Sequence, residues 1–349
     1  MRSFTEMDRV IGQVPGVVAT TLSTVDVGRG SEALHRNQLP DLLNQLADRA
    51  RVASITASSA IEGIVVLDAG RADRILTGRA KTLRTRSEQE LAGYRDAQDY
   101  LFQDTWRPLN VGLLLHLHKL LFSHTATRGG NFKTEDNLVV DRAPTGELTT
   151  RFRPVPAKDT EFYVAELIDR YQVEVAAQRH HPVLLVGLFA LDLLVIHPFI
   201  DGNGRVARVL TNALLMDAGY NVSRYVSLEQ AIAESADQYY QSLLDSTHGW
   251  HDQQANPWPW LAYFVQILAD AYRTFTQRTA ADRKDGSKQE RVEGYVSNHA
   301  PPVFRMNDAR TALPGISDQT IRLVLDRMRR DGAISITGLG RSASWRRAA

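Results

Sequence analysis

The sequence predicts an all-α protein that carries one short β-hairpin and ends in a small domain of three helices and two strands. From Gln38 onward, apolar residues recur every three or four positions, which is the spacing of amphipathic helices. Before the C-terminal domain, only residues 127–156 combine strand-like runs with a turn signal, the tetrapeptide Ala-Pro-Thr-Gly at 143–146. A polar stretch at 282–289 then precedes a separate apolar pattern and indicates a linker.

The composition is that of a globular protein without cysteine. Its 349 residues can form two or three domains, and the 43% hydrophobic and 23% charged fractions are ordinary. The absence of cysteine excludes disulfides, thiolate metal sites and a cysteine nucleophile. A net charge of +1 argues against steering of the whole molecule to nucleic acid or to a membrane.

The sequence gives no sign of membrane insertion. The first ten residues lack the apolar core of a signal peptide. The longest apolar run, residues 183–196, is interrupted by Asp192 and is too short to span a bilayer. We therefore expect a buried helix at this run and a cytoplasmic protein with no membrane partner.

The N-terminal region divides into two parts. Residues 1–37 contain several glycines and a proline, and they predict an irregular arm. From Gln38 the apolar positions share one helical face, and Gly63 is suited to the position just after the helix end. The sequence therefore predicts a helix over about residues 38–63.

The segment from His197 to Arg208, HPFIDGNGRVAR, contains the residues best suited to chemistry. His197, with an ordinary pKa of about 6.5, can take a proton from a hydroxyl at neutral pH. Asp201 is a hard oxygen ligand suited to Mg²⁺, which prefers one or two carboxylates together with substrate phosphates. This pairing favours a reaction at a nucleotide phosphate.

A Gly-Asn-Gly turn opens the next helix and predicts an anion site. Gly202, Asn203 and Gly204 lie at the helix N-terminus, where backbone N–H groups and the helix dipole attract a phosphate. Arg205 and Arg208 add charge-assisted donors for further phosphate oxygens. The alternative is a glycine-rich turn with surface arginines, which the eight demanding positions in twelve residues disfavour.

The segment resembles the Fic family signature, His-x-Phe-x-Asp/Glu-Gly-Asn-Gly-Arg-x-x-Arg, at every fixed position, and a weaker resemblance covers about residues 40–250. Fic proteins are mostly all-helical enzymes that move AMP from ATP to a protein hydroxyl. The resemblance implies Mg²⁺-dependent AMPylation of Ser, Thr or Tyr in a protein target, the enzyme itself included. The implied roles are His197 as base, Asp201 as metal ligand, Gly202, Asn203 and Gly204 as the cradle of the α- and β-phosphates, Arg205 and Arg208 on the β- and γ-phosphates, and Phe199 as a core anchor.

A second family motif lies upstream. Ser58-x-x-x-Glu62-Gly63 matches the inhibitory pattern Ser/Thr-x-x-x-Glu-Gly/Asn, and its position resembles the class with an N-terminal inhibitory helix. In that class the glutamate pairs with the second motif arginine, here Arg208, and blocks the γ-phosphate of ATP. The alternative is an ordinary capped helix end.

Three further features have weaker assignments. The hairpin resembles a flap of the family, whose edge holds the target as an added strand. Lys133 is a candidate to replace an arginine common on the approach to this flap. Tyr239 and Tyr240 are expected to pack in the core, although the family often places such a tyrosine near the adenine. Histidines at 116, 118 and 124 are expected to pack against other side chains and not to form a metal site. A spacing of two on a helix points the rings of 116 and 118 about 200° apart, so they cannot easily share a metal.

The C-terminal pattern resembles a winged-helix domain. Residues 288–349 hold eleven Lys or Arg and six Asp or Glu. Gln319, Thr320 and Arg322 would begin the recognition helix, where contacts to bases or phosphates usually arise. DNA binding, protein contact and homodimer formation all stay open. The predicted elements are helices at 291–298, 307–313 and 317–330, with Ser317 as N-cap and Gly332 as stop, and a two-stranded wing at 333–346.

The sequence leaves other functions open. Removal of AMP, with Glu62 positioning a water, and transfer of another nucleotide group would use the same site. A DNA-binding regulator that senses nucleotide is an alternative, as is a toxin restrained by its own Glu62. The predicted division is an N-terminal helical region at 1–110 with the inhibitory helix at about 38–63, a catalytic core at 111–281, a linker at 282–290 and a winged-helix domain at 291–349.

Overall fold

The fold is mostly helical. A computed structural model of the chain describes residues 3–5, 7–103, 106–142, 148–284, 288–313, 316–338 and 344–347. The prediction of an all-α core domain that carries one small β-hairpin is confirmed. In chain order the α-helices are α1 (Met7–Ile11), α2 (Gly16–Gln38), α3 (Pro40–Ile61), α4 (Ala69–Leu76), α5 (Arg86–Phe102), α6 (Val111–Leu121), α7 (Thr160–Ala177), α8 (Pro182–Ile196), α9 (Asn203–Asp217), α10 (Leu228–Glu234), α11 (Ala236–Thr247), α12 (Trp258–Lys284), α13 (Lys288–Gly294), α14 (Met306–Ala312) and α15 (Asp318–Arg330).

The chain divides into two compact units. One unit comprises Met1–Ala33 and Leu46–Thr274, and the other comprises Leu34–Gln45 and Phe275–Ala349. The predicted domain boundaries stay predictions. The strands are β1 (Val139–Arg142) and β2 (Leu148–Phe152) in the larger unit, and β3 (Val303–Arg305), β4 (Ile334–Thr337) and β5 (Ser344–Arg347) in the smaller one.

Helix α8 is the centre of the larger unit. Thirteen of its fifteen residues are buried, as expected of a helix that is apolar on every side. It packs against α7 and α9, and the Trp260 indole N–H donates to the Gly187 carbonyl at 2.7 Å. None of the described helices is long and apolar enough to cross a membrane.

The N-terminal arm differs from the sequence prediction. Residues 16–38 form the long helix α2 instead of an irregular segment. Val18, Leu22 and Val25 share one buried face, and this tertiary burial outweighs the helix cost of the glycines. Gly28 is required by packing, because a Cβ there would lie 2.5 Å from the ring of Tyr272.

The predicted hairpin is present. Strands β1 and β2 pair in antiparallel fashion, with a register irregularity between Val139 and Val140. The predicted turn at 143–146 lies outside the described residues.

The smaller unit contains helices and strands in the predicted order. Helix α13 continues into a π-helical turn, Tyr295–His299, and Ser317 caps α15 by accepting the Thr320 N–H at 3.3 Å. The two predicted wing strands, β4 and β5, are joined by a third, β3, that the sequence did not predict, in the antiparallel order β3-β5-β4. That this unit is a winged-helix domain stays a prediction.

Asp192 lies in the middle of α8 and is wholly buried. Its Oδ1 accepts hydrogen bonds from the Ser3 hydroxyl at 2.7 Å and the Trp250 indole N–H at 2.6 Å. Burial raises the pKa of the Asp192 carboxyl to about 7, although both hydrogen bonds act in the opposite direction. The carboxyl therefore ties the N-terminal segment and the loop after α11 to the central helix.

We expect the melting temperature to fall between about pH 4 and about pH 7, and Asp192→Asn to reduce this slope. The pKa of this carboxyl is about 7 in the folded chain against 3.8 ordinarily. Its stabilisation is therefore complete below about pH 4 and is lost as the pH rises through about 7. Thermal melts across this range measure the difference, which we expect to be roughly several degrees. Parallel curves for wild type and variant would contradict this, and Asp169→Asn, at an exposed position on α7, is the control.

Candidate active site

His197 ends α8 in a backbone conformation that is rare for a residue with a side chain. Its φ is 51°, and its N–H donates to the Leu193 carbonyl at 3.0 Å. The ring Nδ1 lies 3.2 Å from the Leu194 carbonyl, which can only accept, so Nδ1 carries the proton and Nε2 keeps its lone pair. Burial lowers the pKa of His197 to about 4, and the nearby Lys133 charge adds to this effect. The ring is therefore neutral at pH 7 and able to accept a proton.

Phe199 anchors the loop after His197. It is fully buried and stacks on His118, with ring centroids 3.8 Å apart. His118 accepts the Gly130 N–H at Nδ1 (2.9 Å), so its Nε2 donates to the Asp201 carbonyl (3.1 Å). Burial lowers the pKa of His118 to about 4, which keeps this tautomer at neutral pH. His118 packs in the core, as expected, and also fixes the backbone at Asp201.

Lys133 and Asn137 hold the same loop from the side of the hairpin. The buried Lys133 Nζ donates to the Ile196 carbonyl at 3.2 Å and to Asn137 Oδ1 at 2.9 Å, and its backbone N–H donates to the Pro198 carbonyl. Burial lowers the pKa of Lys133 to about 8. The Asn137 amide donates to the Phe199 carbonyl at 3.0 Å. The sequence indicated a role for Lys133, whereas no sequence pattern predicted one for Asn137.

The Gly-Asn-Gly turn places its three residues in different roles. Gly202 precedes α9 with φ +82°, and a Cβ there would lie 2.8 Å from Leu121. The Asn203 side chain bonds to both backbone groups of Phe199, accepting at 2.9 Å and donating at 2.8 Å. Asn203 therefore closes the loop with its side chain. Gly204 lies against the cavity described below.

Glu62 and Arg208 form an ion pair across this turn. Arg208 Nη2 donates to Glu62 Oε1 at 2.8 Å and to the Ser58 carbonyl at 3.1 Å, while its Nε donates to Ser58 Oγ at 2.9 Å. A Cβ on Gly204 would lie 2.5 Å from Glu62 Oε1. The Glu62 carboxylate therefore sits on the first turn of α9, where the sequence predicts a phosphate.

Polar side chains line the last turns of α3, which ends one residue before Glu62. Ser54, Ser58 and Glu62 are spaced by four residues and lie on one side of the helix. Ser54 Oγ donates to Ser227 Oγ at 2.9 Å, and Ser54 and Ser58 are both buried. Gly63 follows with φ +74°. These polar contacts fix the end of α3 against α9 and against the start of α10.

Asp201 and Arg205 belong to a ring of alternating charges with α5. Arg205 is buried, and it donates to Glu90 at 2.7 Å and to Asp201 Oδ1 at 3.3 Å. Glu90 accepts from Arg86 Nε at 2.5 Å, and Arg86 Nη2 lies 3.6 Å from Asp201 Oδ2. Arg205 thus holds Asp201 and does not line the cavity. No sequence pattern predicted that Arg86 and Glu90 belong to the site.

These elements border a cavity of about 570 Å³, a volume typical of small-molecule sites. His197, Gly204, Arg208 and Glu62 form one wall, and the hairpin and α11 supply apolar walls. Tyr239 and Tyr240 both line it, with Tyr239 only 3% exposed and Tyr240 under the Arg151 guanidinium at 4.8 Å. Burial raises the pKa of both phenols, so they stay neutral hydrogen-bonding groups.

The metal prediction depends on Asp201 alone. Among the described residues, no group of three His, Asp or Glu side chains is placed to hold a metal ion. Asp201 is half exposed, and its Oδ1 already accepts the Gly202 N–H at 2.6 Å, which leaves Oδ2 toward the solvent side. One carboxylate fits Mg²⁺ that takes its other ligands from water and substrate phosphates.

Part of the sequence is similar to a known family. The sequence model of the Fic/DOC family matches residues 108–215. The protein adenylyltransferase Fic of Drosophila grimshawi is 32% identical over 137 residues, which are 38% of this chain and 26% of that protein. The Drosophila virilis counterpart is 31% identical over 137 residues. The chain thus matches about a quarter of the length of these curated relatives.

Solved structures agree on the fold. A Fic family protein from Desulfovibrio desulfuricans G20 superposes with a TM-score of 0.65 at 20% identity and covers 97% of each chain. A Fic domain-containing signaling protein from Bacteroides thetaiotaomicron gives a TM-score of 0.59 at 19% identity, over 76% of this chain and 97% of that one. At such identities the likeness establishes the fold alone. Residues 108–215 thus match the Fic/DOC family model in sequence, and the chain is similar in fold to solved Fic proteins.

Proposed function

We propose that this protein transfers AMP from ATP to a Ser, Thr or Tyr hydroxyl of a protein target, with Mg²⁺ as cofactor. The main support is the geometry of His197. A neutral imidazole with a fixed tautomer lies in the same cavity wall as Gly204 and Arg208, which suit phosphates. A base and an anion site in one cavity match attack of a hydroxyl on a phosphorus atom.

In the proposed reaction the target hydroxyl gives its proton to His197 Nε2. The oxygen bonds to the α-phosphorus, and the bond from that phosphorus to the bridging oxygen of the β-phosphate breaks. AMP stays on the target, and pyrophosphate leaves. The N-terminal turn of α9 and Arg208 hold the phosphates, so the chain contributes mainly orientation and charge stabilisation. Mg²⁺ held by Asp201 would neutralise charge on the phosphates and on the leaving pyrophosphate.

Labelled ATP tests this proposal directly. AMP transfer moves label from α-labelled ATP, but not from γ-labelled ATP, onto protein. Mass mapping of labelled proteins then identifies the modified hydroxyl. Label from the γ position on protein would indicate phosphorylation and would contradict the proposal.

We further propose that Glu62 inhibits the enzyme. The support is its position, 2.8 Å from Arg208 and on the first turn of α9. A terminal phosphate and this carboxylate compete for the same cation, so ATP binds in a productive pose only after Glu62 leaves.

Two alternative functions are each supported by a specific observation. Glu62 lines the same cavity as His197, so it could orient a water that removes AMP from a modified protein. Incubation with an AMP-modified target and mass spectrometry distinguishes loss from gain of the group, or gain of another nucleotide.

A DNA-binding role for the smaller unit is supported by exposed Gln319 and Arg322 early in α15. Two other basic residues, Arg310 and Arg327, are already paired with Asp318 and Glu293. A mobility shift of duplex DNA that weakens with added salt would support this role. A protein that shifts no duplex even at low salt would leave protein contact or dimerisation as the role of this unit.

We expect His197→Ala to lower the transfer rate by about 10² or more, the usual effect of losing a general base. Nucleotide affinity, measured by calorimetry, should stay near wild type because Gly204 and Arg208 are untouched. Since the pKa of His197 is about 4, the wild-type rate should not fall through imidazole protonation until the pH drops below about 5. Near-normal transfer by the variant would exclude His197 as base, and exposed His248→Ala is the control.

We expect Asp201→Asn to raise the Mg²⁺ concentration needed for half-maximal transfer and to lower the maximal rate. The asparagine oxygen can still accept from Gly202 and Arg205, so the fold should persist. The control is Asp217→Asn, at the far end of α9. Undiminished wild-type transfer in the presence of a chelator would remove the metal from the mechanism.

We expect Glu62→Gly to raise the transfer rate by roughly ten- to a hundredfold, because about 1.4 kcal/mol of lost closed-state stability is tenfold in population. Arg208→Ala should not mimic this, since it removes the phosphate ligand together with the ion pair. The double variant should be as slow as Arg208→Ala. Initial rates of all four proteins decide the matter. If the Glu62→Gly variant is no faster than wild type on any substrate, the variant protein itself included, the contact between Glu62 and Arg208 has only a structural role at the end of α3.

A further inference from the structure

The two oxygens of Asp201 have unequal surroundings. Oδ1 accepts the Gly202 N–H at 2.6 Å and faces Arg205 Nη2 at 3.3 Å. Oδ2 faces Arg86 Nη2 at 3.6 Å, which is longer than a hydrogen bond. The first oxygen is therefore fixed by the motif itself, and the second has a cation nearby without a direct bond.

The two arginines beside Asp201, Arg205 and Arg86, differ in exposure. The Arg205 side chain is 1% exposed and held by Glu90, whereas the Arg86 side chain is 69% exposed. Arg86 comes from the first turn of α5, and its Nε is bonded to Glu90 Oε1 at 2.5 Å. Arg205 is thus built into the core, while Arg86 approaches Asp201 from the solvent side, the side from which a hydrated cation arrives.

We propose that Arg86 is a placeholder cation, which occupies the metal-binding side of Asp201 and is displaced when a divalent ion binds. This rests on the proposed role of Asp201 as metal ligand. A guanidinium at this distance neutralises the carboxylate and repels a second cation. The negative phosphates of a nucleotide offset that repulsion and offer Arg86 another partner. The protein therefore binds free metal poorly and takes up the metal together with nucleotide.

The test measures Mn²⁺ binding to the nucleotide-free protein by electron paramagnetic resonance, which counts free Mn²⁺. Arg86→Ala should bind Mn²⁺ about two- to fivefold more tightly than wild type, the range for one largely exposed charge near a carboxylate. Arg86→Lys keeps the charge and should stay near wild type. Arg170→Ala is the matched control, because Arg170 also pairs with a glutamate four residues away on an exposed helix face.

The double variant Arg86→Ala/Asp201→Asn assigns the ion to Asp201. Loss of the tighter binding in this protein supports the proposal, and its retention shows that Glu90 or another group holds the ion. Unchanged or weaker Mn²⁺ binding by Arg86→Ala, or none at any concentration, overturns the placeholder role. If Asp201→Asn alone binds Mn²⁺ as wild type does, the proposed metal site fails instead. Matching thermal melts confirm that each variant is folded.

Discussion

The candidate site depends on the burial of one aromatic ring. Phe199 is fully buried and stacked on His118, and its backbone N–H and carbonyl are both bonded to Asn203. With the ring fixed, the chain must reverse between α8 and α9 within a few residues. His197 then takes an αL conformation, and Gly202 a positive φ. The apolar core therefore sets the position of the base on one side of the ring and of the metal-ligand candidate on the other.

Around this loop, the charged side chains of the site neutralise one another. Glu62 lies where an anion would sit on the first turn of α9, and Arg86 lies where a cation would approach Asp201. Glu62 is partly exposed whereas its partner Arg208 is buried, and Arg86 is largely exposed whereas its partner Glu90 is buried. Buried charges cost much when left unpaired. The exposed partner is thus the one that can leave when a ligand of the same sign arrives.

The sequence predicted the parts of the site that are local in the chain. The reversal after α8, the helix opening at Asn203 and the hairpin all follow from residues within a dozen positions. Glu90, Arg86 and Asn137 could not be found this way, because their roles arise only when distant helices pack. The roles of Asn203 and Arg205 show the same limit. Their residue types suit phosphate binding, but burial turns the side chains toward the loop and toward Glu90. Helix α2 was missed because glycine content outweighed a buried face that only tertiary packing reveals.

These observations imply an order among the contacts of the site. Arg208 has three hydrogen bonds to α3, two of them to Ser58, so loss of the Glu62 contact alone leaves the arginine in place. Arg205 likewise stays bonded to Glu90 if its contact with Asp201 is lost. The donors of the site are therefore pre-organised by contacts that a ligand does not compete for. Only the outermost carboxylate and the outermost guanidinium need to move, which keeps the reorganisation on ligand binding small.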